Sequence, residues 1–379
     1  MKAYRVTSSA IKVGDPLPWN ILDHSGKLLL KKGTVVTSPH LLEMLLERGC
    51  YLPDDDTYFP HAPTIKSALE DTQGPFNPFE IIEACTFRLG RVMYNLTQNK
   101  DCSEMIHVIA NDIMHACEKA PDATLGAVHL LHGHAYTTIH PIHVATLCYA
   151  LCTAVKLPRE ETHTIIAACL TSNIGMLELQ EVLHEQTSPL TSEQKQQIQH
   201  HPEESVRILK ASGINDLLWL NIVMQHHERS DGEGYPTKLK GDEIVRGAKI
   251  LGITDCYSAM ISPRSYKESM EASTALKTLF LERGKTYDET LSVLLIKYMG
   301  VFPPGAFVKL ANGEVAVVVR RTGNNMAPEV ASVVSPKEVP YTRPIPRDSS
   351  KQEFAIKGIV ENKKRLAVSL SSIWGYQGS

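Results

Sequence analysis

The segment Gln225-His226-His227-Glu228-Arg229-Ser230-Asp231-Gly232-Glu233-Gly234-Tyr235-Pro236 constrains this chain more than any other. Two adjacent histidines and a carboxylate run straight into a stretch that cannot continue as helix. Gly232 and Gly234 permit positive φ, and Pro236 fixes its own φ while biasing Tyr235 toward extended backbone. The pattern predicts a helix over 217–225 that delivers imidazoles at its end, followed by a rigid turn. Imidazole suits zinc, iron, manganese or nickel, and neighbouring carboxylates favour the harder metals. A His-His pair alone is weakly specific, because structural and surface pairs are common. The Asp-Gly-x-Gly-Tyr-Pro turn behind it is far more specific.

With 379 residues, the chain should hold two or three domains and a sizeable core. A formal net charge of −3 creates no field toward a nucleic-acid polymer or a membrane surface. No run approaches the roughly 18 apolar residues of a spanning helix. Residues 1–10 lack a long apolar run, so the expectation is a cytoplasmic protein with no signal peptide and no membrane span. Eight cysteines include no CxxC pair; Cys148 and Cys152, on one helix face, read as small buried thiols.

Residues 1–52 read as a small α/β module, with a hairpin about His24-Ser25-Gly26 and a short helix over 41–47 capped by Ser38. Residues 53–78, rich in Pro and Asp, read as a linker, and 79–122 as a helical hairpin. From 123 to 300 nearly everything is helical, with helices predicted over 127–133, 136–155, 159–171, 192–199, 202–211, 215–225, 242–261, 267–283 and 287–298. Thr191 to Gln194 forms a plausible capping box, and His201-Pro202-Glu203-Glu204 has the proline and acids of a helix start. Residues 301–379 form a small β-rich region: a hairpin about Ala311-Asn312-Gly313, then strands over 330–334, 354–359 and 365–370, with Pro340–Pro346 as a spacer. The fold class is mainly α: a helical bundle with a small α/β N-terminal module and a small β C-terminal appendage. Such a bundle gathers ligands from several helices in its core.

The stretch from His226 to Pro236 resembles the signature H-H-E-x-x-D-G-x-G-Y-P of the HD-GYP family and matches it at every position. That family comprises bacterial cyclic di-GMP phosphodiesterases, helical metal-dependent hydrolases within the HD superfamily. The resemblance covers about Tyr136 to Val319, and residues 1–52 resemble the small domain that often precedes such domains. It implies a metal set of His140, His201, His226, His227 and Asp255, delivered from separate helices. In such hydrolases two or three metals hold a bridging water, lower its pKa and direct it at phosphorus. Ser262 to Lys267 is similar to the family segment S-D-R-P-Y-R/K, which implies ligand contacts from Arg264 and Lys267 beside Tyr235. Ordinary surface ion pairs are the alternative for those two cations.

The resemblance fails at one place. Where the family carries L-L-H-D-I-G-K, this chain has Leu170-Thr171-Ser172-Asn173-Ile174-Gly175-Met176. Ser172, Asn173 and Met176 replace the His, the metal-bridging Asp and the Lys of the catalytic centre. An amide has no negative charge to share between two cations, and a serine hydroxyl is a poor ligand at neutral pH. Tyr136 stands where some members place a further carboxylate, which argues against a third metal. Two states remain open: at most one divalent ion (Fe, Mn, Ni or Zn), or a polar cluster satisfied by water. The functional expectation is a catalytically degenerate protein. It would act as a receptor for cyclic di-GMP or a related nucleotide, or present its GYP face to diguanylate cyclase domains or other signalling proteins. The alternatives are an active phosphodiesterase releasing pGpG or GMP from an altered metal site, and hydrolysis of another phosphorylated small molecule.

Overall fold

The computed structural model describes residues 75–263, 270–360 and 369–376 throughout, together with parts of 4–51 and residues 67 and 69. It falls into two compact units, residues 1–66 with 133–135, and residues 67–132 with 136–379. The first holds β1 (Tyr4–Arg5), β2 (Ile21–Leu22), β3 (Leu28–Leu30), α1 (Pro39–Arg48) and β4 (Cys50–Tyr51). Its antiparallel sheet has the order β1-β4-β2-β3, and Ile21 faces Leu30 across the hairpin. Ile11, Leu17, Ile21, Val36 and Leu45 form its core. The Ser38 hydroxyl accepts the Leu41 N–H at the start of α1.

The second unit opens with α2 (Pro78–Thr97) and α3 (Ser103–Lys119). Asn77 caps α2 by accepting the Phe79 N–H, with Pro78 at the first helical position. There follow α4 (Pro121–Leu130), α5 (Tyr136–Ala154), α6 (Arg159–Thr171), a 3₁₀ turn (Ile174–Met176), α7 (Leu177–Glu185), α8 (Ser192–Ala211), α9 (Leu217–Gln225), α10 (Arg246–Ile261), α11 (Ala272–Leu281) and α12 (Glu289–Met299). Helix α5 is apolar on all sides because it runs through the middle of the bundle, against α3, α6, α10 and α12. Leu89 of α2 and Val223 of α9 join Ile109, Leu147, Ile166 and Leu251 in the same core. The described cysteines are free; Cys148 Sγ lies 3.2 Å from Cys169 Sγ, and burial pushes the Cys169 thiol well above its ordinary value.

The helices differ from the expected ones in three instructive ways. Helix α8 is continuous where two helices were expected, running through Pro202. The proline costs α8 one backbone bond without ending it, and the carbonyl it frees has a use described below. Helix α7 was not expected at all: the alternation in Leu177-Glu178-Leu179-Gln180 hides its period, and no side chain caps it. Helix α4 begins at Pro121 and ends at Leu130 rather than spanning 127–133, and α10 begins at Arg246, after a 3₁₀ turn at Gly241–Glu243.

Beyond α12 an antiparallel sheet has the order β8-β7-β6-β5-β9, built from β5 (Phe307–Leu310), β6 (Val315–Arg320), β7 (Glu329–Val334), β8 (Pro340–Asp348) and β9 (Ile356–Ile359). The proline-rich spacer is thus a strand. It occupies an edge, where missing N–H groups are tolerated. Residues 365–368 of the last expected strand lie outside the described residues, and Leu370 begins a short helix, α13 (Leu370–Ile373). Trp374 beyond it packs on α4, where a Cβ on Gly126 would lie 2.3 Å from the indole, and its N–H donates to the Val319 carbonyl. Arg321 pairs with Asp122 of α4. Among the described residues no helix is long and apolar enough to cross a membrane.

Candidate metal centre and adjoining cavity

Helix α8 carries His201, and the end of α9 presents His226 and His227. Because Pro202 has no N–H, the Ile198 carbonyl four residues earlier has no backbone donor there. It accepts the His201 Nδ1–H at 2.6 Å instead. The Val223 carbonyl, in the last turn of α9 where carbonyls lose their helical donors, accepts the His226 Nδ1–H at 2.7 Å. Carbonyls only accept, so both neutral rings carry their proton on Nδ1 and a lone pair on Nε2. Those two Nε2 atoms are 3.3 Å apart.

Facing lone pairs at that distance require a shared proton or a cation. Burial pushes His201 down to about 3 and lowers His226, so a shared proton is disfavoured at neutral pH. Burial, then the neighbouring imidazoles, push His227 well below its ordinary value too. A nitrogen from each of the three rings lies within 4.8 Å of the others. Three neutral imidazoles, two of them oriented from behind by carbonyls, form a donor set that fits a divalent cation.

His140 and Asp255 stand apart from that trio as a pair. His140 Nε2 meets Asp255 Oδ1 at 2.8 Å, and its Nδ1 meets the Ser258 hydroxyl at 3.1 Å. Burial pushes the Asp255 carboxyl up, but the His140 hydrogen bond and nearby imidazoles outweigh it and hold the group well below the usual carboxylate range. His140, His227 and Asp255 all face one cavity of about 460 Å³.

The corner after α6 is arranged differently. The Ser172 hydroxyl turns back to donate to the Cys169 carbonyl of its own helix. Ser205 of α8 donates to the Ser172 carbonyl at 2.8 Å and accepts the Gly175 N–H at 2.9 Å, which ties the corner to α8. A Cβ on Gly175 would lie 2.6 Å from the His201 carbonyl oxygen, so only glycine lets the two segments approach this closely. Asn173 and Met176 line the cavity. Asn173 Oδ1 is buried with no hydrogen-bond partner among the described residues, and so is Gln180 Oε1 from α7. Tyr136 lies between the rings of His140 and His184, with centroids at 4.7 and 4.9 Å.

The turn after His227 is held from within. The Glu228 carboxylate accepts the Thr237 N–H, the Thr237 hydroxyl and the Leu239 N–H, so it staples the turn. Gly232 adopts φ +82, as expected; Gly234 does not have positive φ and is needed instead because a Cβ would lie 2.7 Å from the His227 carbonyl oxygen. Tyr235 stacks on His227 at 4.8 Å and lines the cavity. Arg264 and Lys267 lie outside the described residues. Sequence reading missed Gln180 and His184, which reach the cavity from the helix it did not foresee.

Residues 113–291 match the HD domain family. The chain is 28% identical over 218 residues to the cyclic di-GMP phosphodiesterase PA4108 of Pseudomonas aeruginosa, covering 58% of this chain and 52% of that protein. It is also 28% identical over 184 residues to the cyclic di-GMP phosphodiesterase PdeB of Borreliella burgdorferi, covering 48% of each. The chain thus spans about half the length of these curated relatives. Among solved structures, Bd1817, a HDG"Y"P protein from Bdellovibrio bacteriovorus, shares the fold with a TM-score of 0.53 at 18% identity, over 78% of this chain and 98% of that one. Residues 113–291 thus match an HD domain, and the complete segment from His226 to Pro236 carries the signature of the HD-GYP family that it resembles.

Proposed function

We propose that this chain is a cyclic di-GMP signalling protein of the HD-GYP type that has lost hydrolysis and acts as a receptor or protein-interaction module. The observation that carries this reading is the corner at Ser172–Met176. Its serine is turned into the helix backbone, its amide is neutral, and its methionine offers no charge. Among the described residues lining the cavity there is no Lys or Arg, and Asp255 is the only carboxylate. The remaining donor set, His201, His226 and His227 with Asp255 nearby, suits one divalent ion, of Fe, Mn, Ni or Zn type. When bound, such an ion supplies a Lewis acid for a phosphoryl oxygen. The chain's own groups orient the imidazoles, hold Asp255 ionised and close the cavity with Tyr136 and Tyr235. Lys238 and Lys240 are exposed on the GYP turn, a face suited to an acidic patch on a diguanylate cyclase domain or another signalling partner.

The test measures metal content and cyclic di-GMP hydrolysis on one preparation, with binding of the intact dinucleotide alongside. At most one ion, no turnover and measurable binding are expected. Two ions with turnover to pGpG or GMP would replace this reading with the second one, an active phosphodiesterase with an altered site. The carbonyl-oriented histidine trio is what favours that second reading.

A further inference from the structure

The backbone of a histidine limits where its ring can go, and in the trio each histidine carbonyl rests against a glycine. A Cβ on Gly175 would lie 2.6 Å from the His201 carbonyl oxygen, one on Gly234 2.7 Å from that of His227, and one on Gly252 2.5 Å from that of His226. Real Cβ atoms essentially never come within 3.0 Å of a neighbour, and a backbone oxygen cannot swing aside as a side-chain tip can. Gly175 and Gly234 sit in a corner and a turn, where glycine is common. Gly252 is different. It lies inside α10 without positive φ, where glycine is destabilising relative to alanine. The missing side chain therefore has a spatial reason: outside α10, the described atoms within 4 Å of such a Cβ are the carbonyl carbon and oxygen of His226.

We propose that these glycines, Gly252 above all, are positioning residues, each seating one histidine of the trio by its backbone. At His226 the seat has two parts. The Val223 carbonyl holds the ring at Nδ1, and α10 presses on the main chain at Gly252. Together they set the 3.3 Å spacing between the Nε2 atoms of His226 and His201. Alanine at 252 would drive α10 and the end of α9 apart by roughly 0.5 Å, whereas metal–ligand distances are held to within ~0.2 Å. Asp255 lies three residues further along α10, so the same displacement shifts its carboxylate relative to the trio. Gly247, five residues earlier in α10, supplies an internal control. A Cβ there would also be too close, at 2.6 Å, but to Ile222 Cδ1, the tip of a flexible side chain. What the trio holds rests on the single-ion reading above; the seating of His226 does not.

The experiment compares the full chain as wild type, Gly252→Ala and Gly247→Ala. It measures Zn²⁺ affinity by competition with a chromophoric chelator, and the imidazole nitrogen NMR signals of the metal-free proteins. Gly252→Ala should lose roughly tenfold or more in Zn²⁺ affinity, as for other groups that orient a ligand, and Gly247→Ala should bind as wild type does. In the metal-free state the His226 ring should move from its single Nδ1–H form to a mixture of tautomers in Gly252→Ala alone, which a merely structural role does not predict. Unchanged Zn²⁺ affinity in Gly252→Ala, or an equal loss in Gly247→Ala, overturns the proposal and leaves the single-ion reading standing. If wild type binds no Zn²⁺, the single-ion reading falls and the nitrogen signals decide the seating: it stands if His226 moves in Gly252→Ala alone and falls if it does not. If Gly252→Ala does not fold, Gly175→Ala takes its place, with His201 as the ring that must move.

Discussion

The two sides of the candidate site obey opposite rules. On the α8–α9 side two of the three imidazoles are committed: Nδ1 of His201 and of His226 is held by a carbonyl, and their Nε2 lone pairs face each other at 3.3 Å. On the corner side Ser172 satisfies itself on its own helix, while the buried Asn173 Oδ1 has no hydrogen-bond partner among the described residues. The first side is incomplete without a cation; the second has no charge to offer one. On the proposed reading, the fold keeps one half of a two-part metal centre and retires the other. Ser205 and Gly175 hold the backbone of the corner in place through main-chain groups, whichever side chains it carries.

The strongest way to break this contrast is to rebuild the corner. The triple substitution Ser172→His, Asn173→Asp and Met176→Lys should raise the ion count per chain and bring cyclic di-GMP hydrolysis from undetectable to measurable. Elemental analysis and product chromatography read both. An unchanged ion count in a folded triple variant would mean that the loss lies elsewhere in the site. Next in size is His226→Ala, which removes one of the two facing lone pairs and should abolish metal retention. A chelator should then lower the melting midpoint of wild type, whose folded state alone holds the ion, and leave the variant unmoved. A chelator-insensitive wild type would favour the water-filled polar cluster.

Pro202→Ala probes the orientation of the ring rather than the ring itself. The new amide at 202 would compete with His201 Nδ1 for the Ile198 carbonyl. Metal affinity, read by chelator competition, should fall by about tenfold, as for loss of other groups that orient a ligand. Stability should hold or rise, because an interior proline costs a helix up to about 3 kcal/mol. Equal metal affinity in the two proteins would show that the freed carbonyl has no share in holding the site.

Much of this was legible in the sequence, for identifiable reasons. The His226–Pro236 turn could be read because its glycines and proline allow few backbones, α2 and α3 because their apolar residues recur at helical spacing, and α5 because its apolar run is too long for a strand. Pro202 misled because a helix start and a tolerated interior proline look alike in sequence; the difference is that the His201 side chain takes over the carbonyl the proline frees one turn back. Helix α7 was invisible because its first residues alternate, and with it went Gln180 and His184. The division of the five expected ligands into a trio and a His140–Asp255 pair depends on the spacing between α5 and α10, which no local pattern encodes.

The smallest effect is expected in the C-terminal sheet, at a buried carboxylate whose partners are all in place. Glu314 is 3% exposed and accepts from Arg347 twice, at 2.9 and 2.7 Å, and from Ser332 and Tyr341. The Arg347 bonds dominate, against an opposing effect of burial, and draw the carboxyl from 4.5 down to about 2. A depressed acid stabilises the fold fully above its unfolded value, so this contribution is present above about pH 4.5 and is lost as pH falls toward 2. Its size is on the order of 2 kcal/mol. Denaturant unfolding of wild type and Glu314→Gln across that window should show a gap that narrows with acid, with metal content the same in both. A gap that stays constant with pH would mean the Arg347–Glu314 pair does not set the titration. A change in metal content would mean that the C-terminal sheet and the histidine trio are coupled, and that the contrast between a satisfied region and an incomplete one does not divide the molecule where the hydrogen bonds place it.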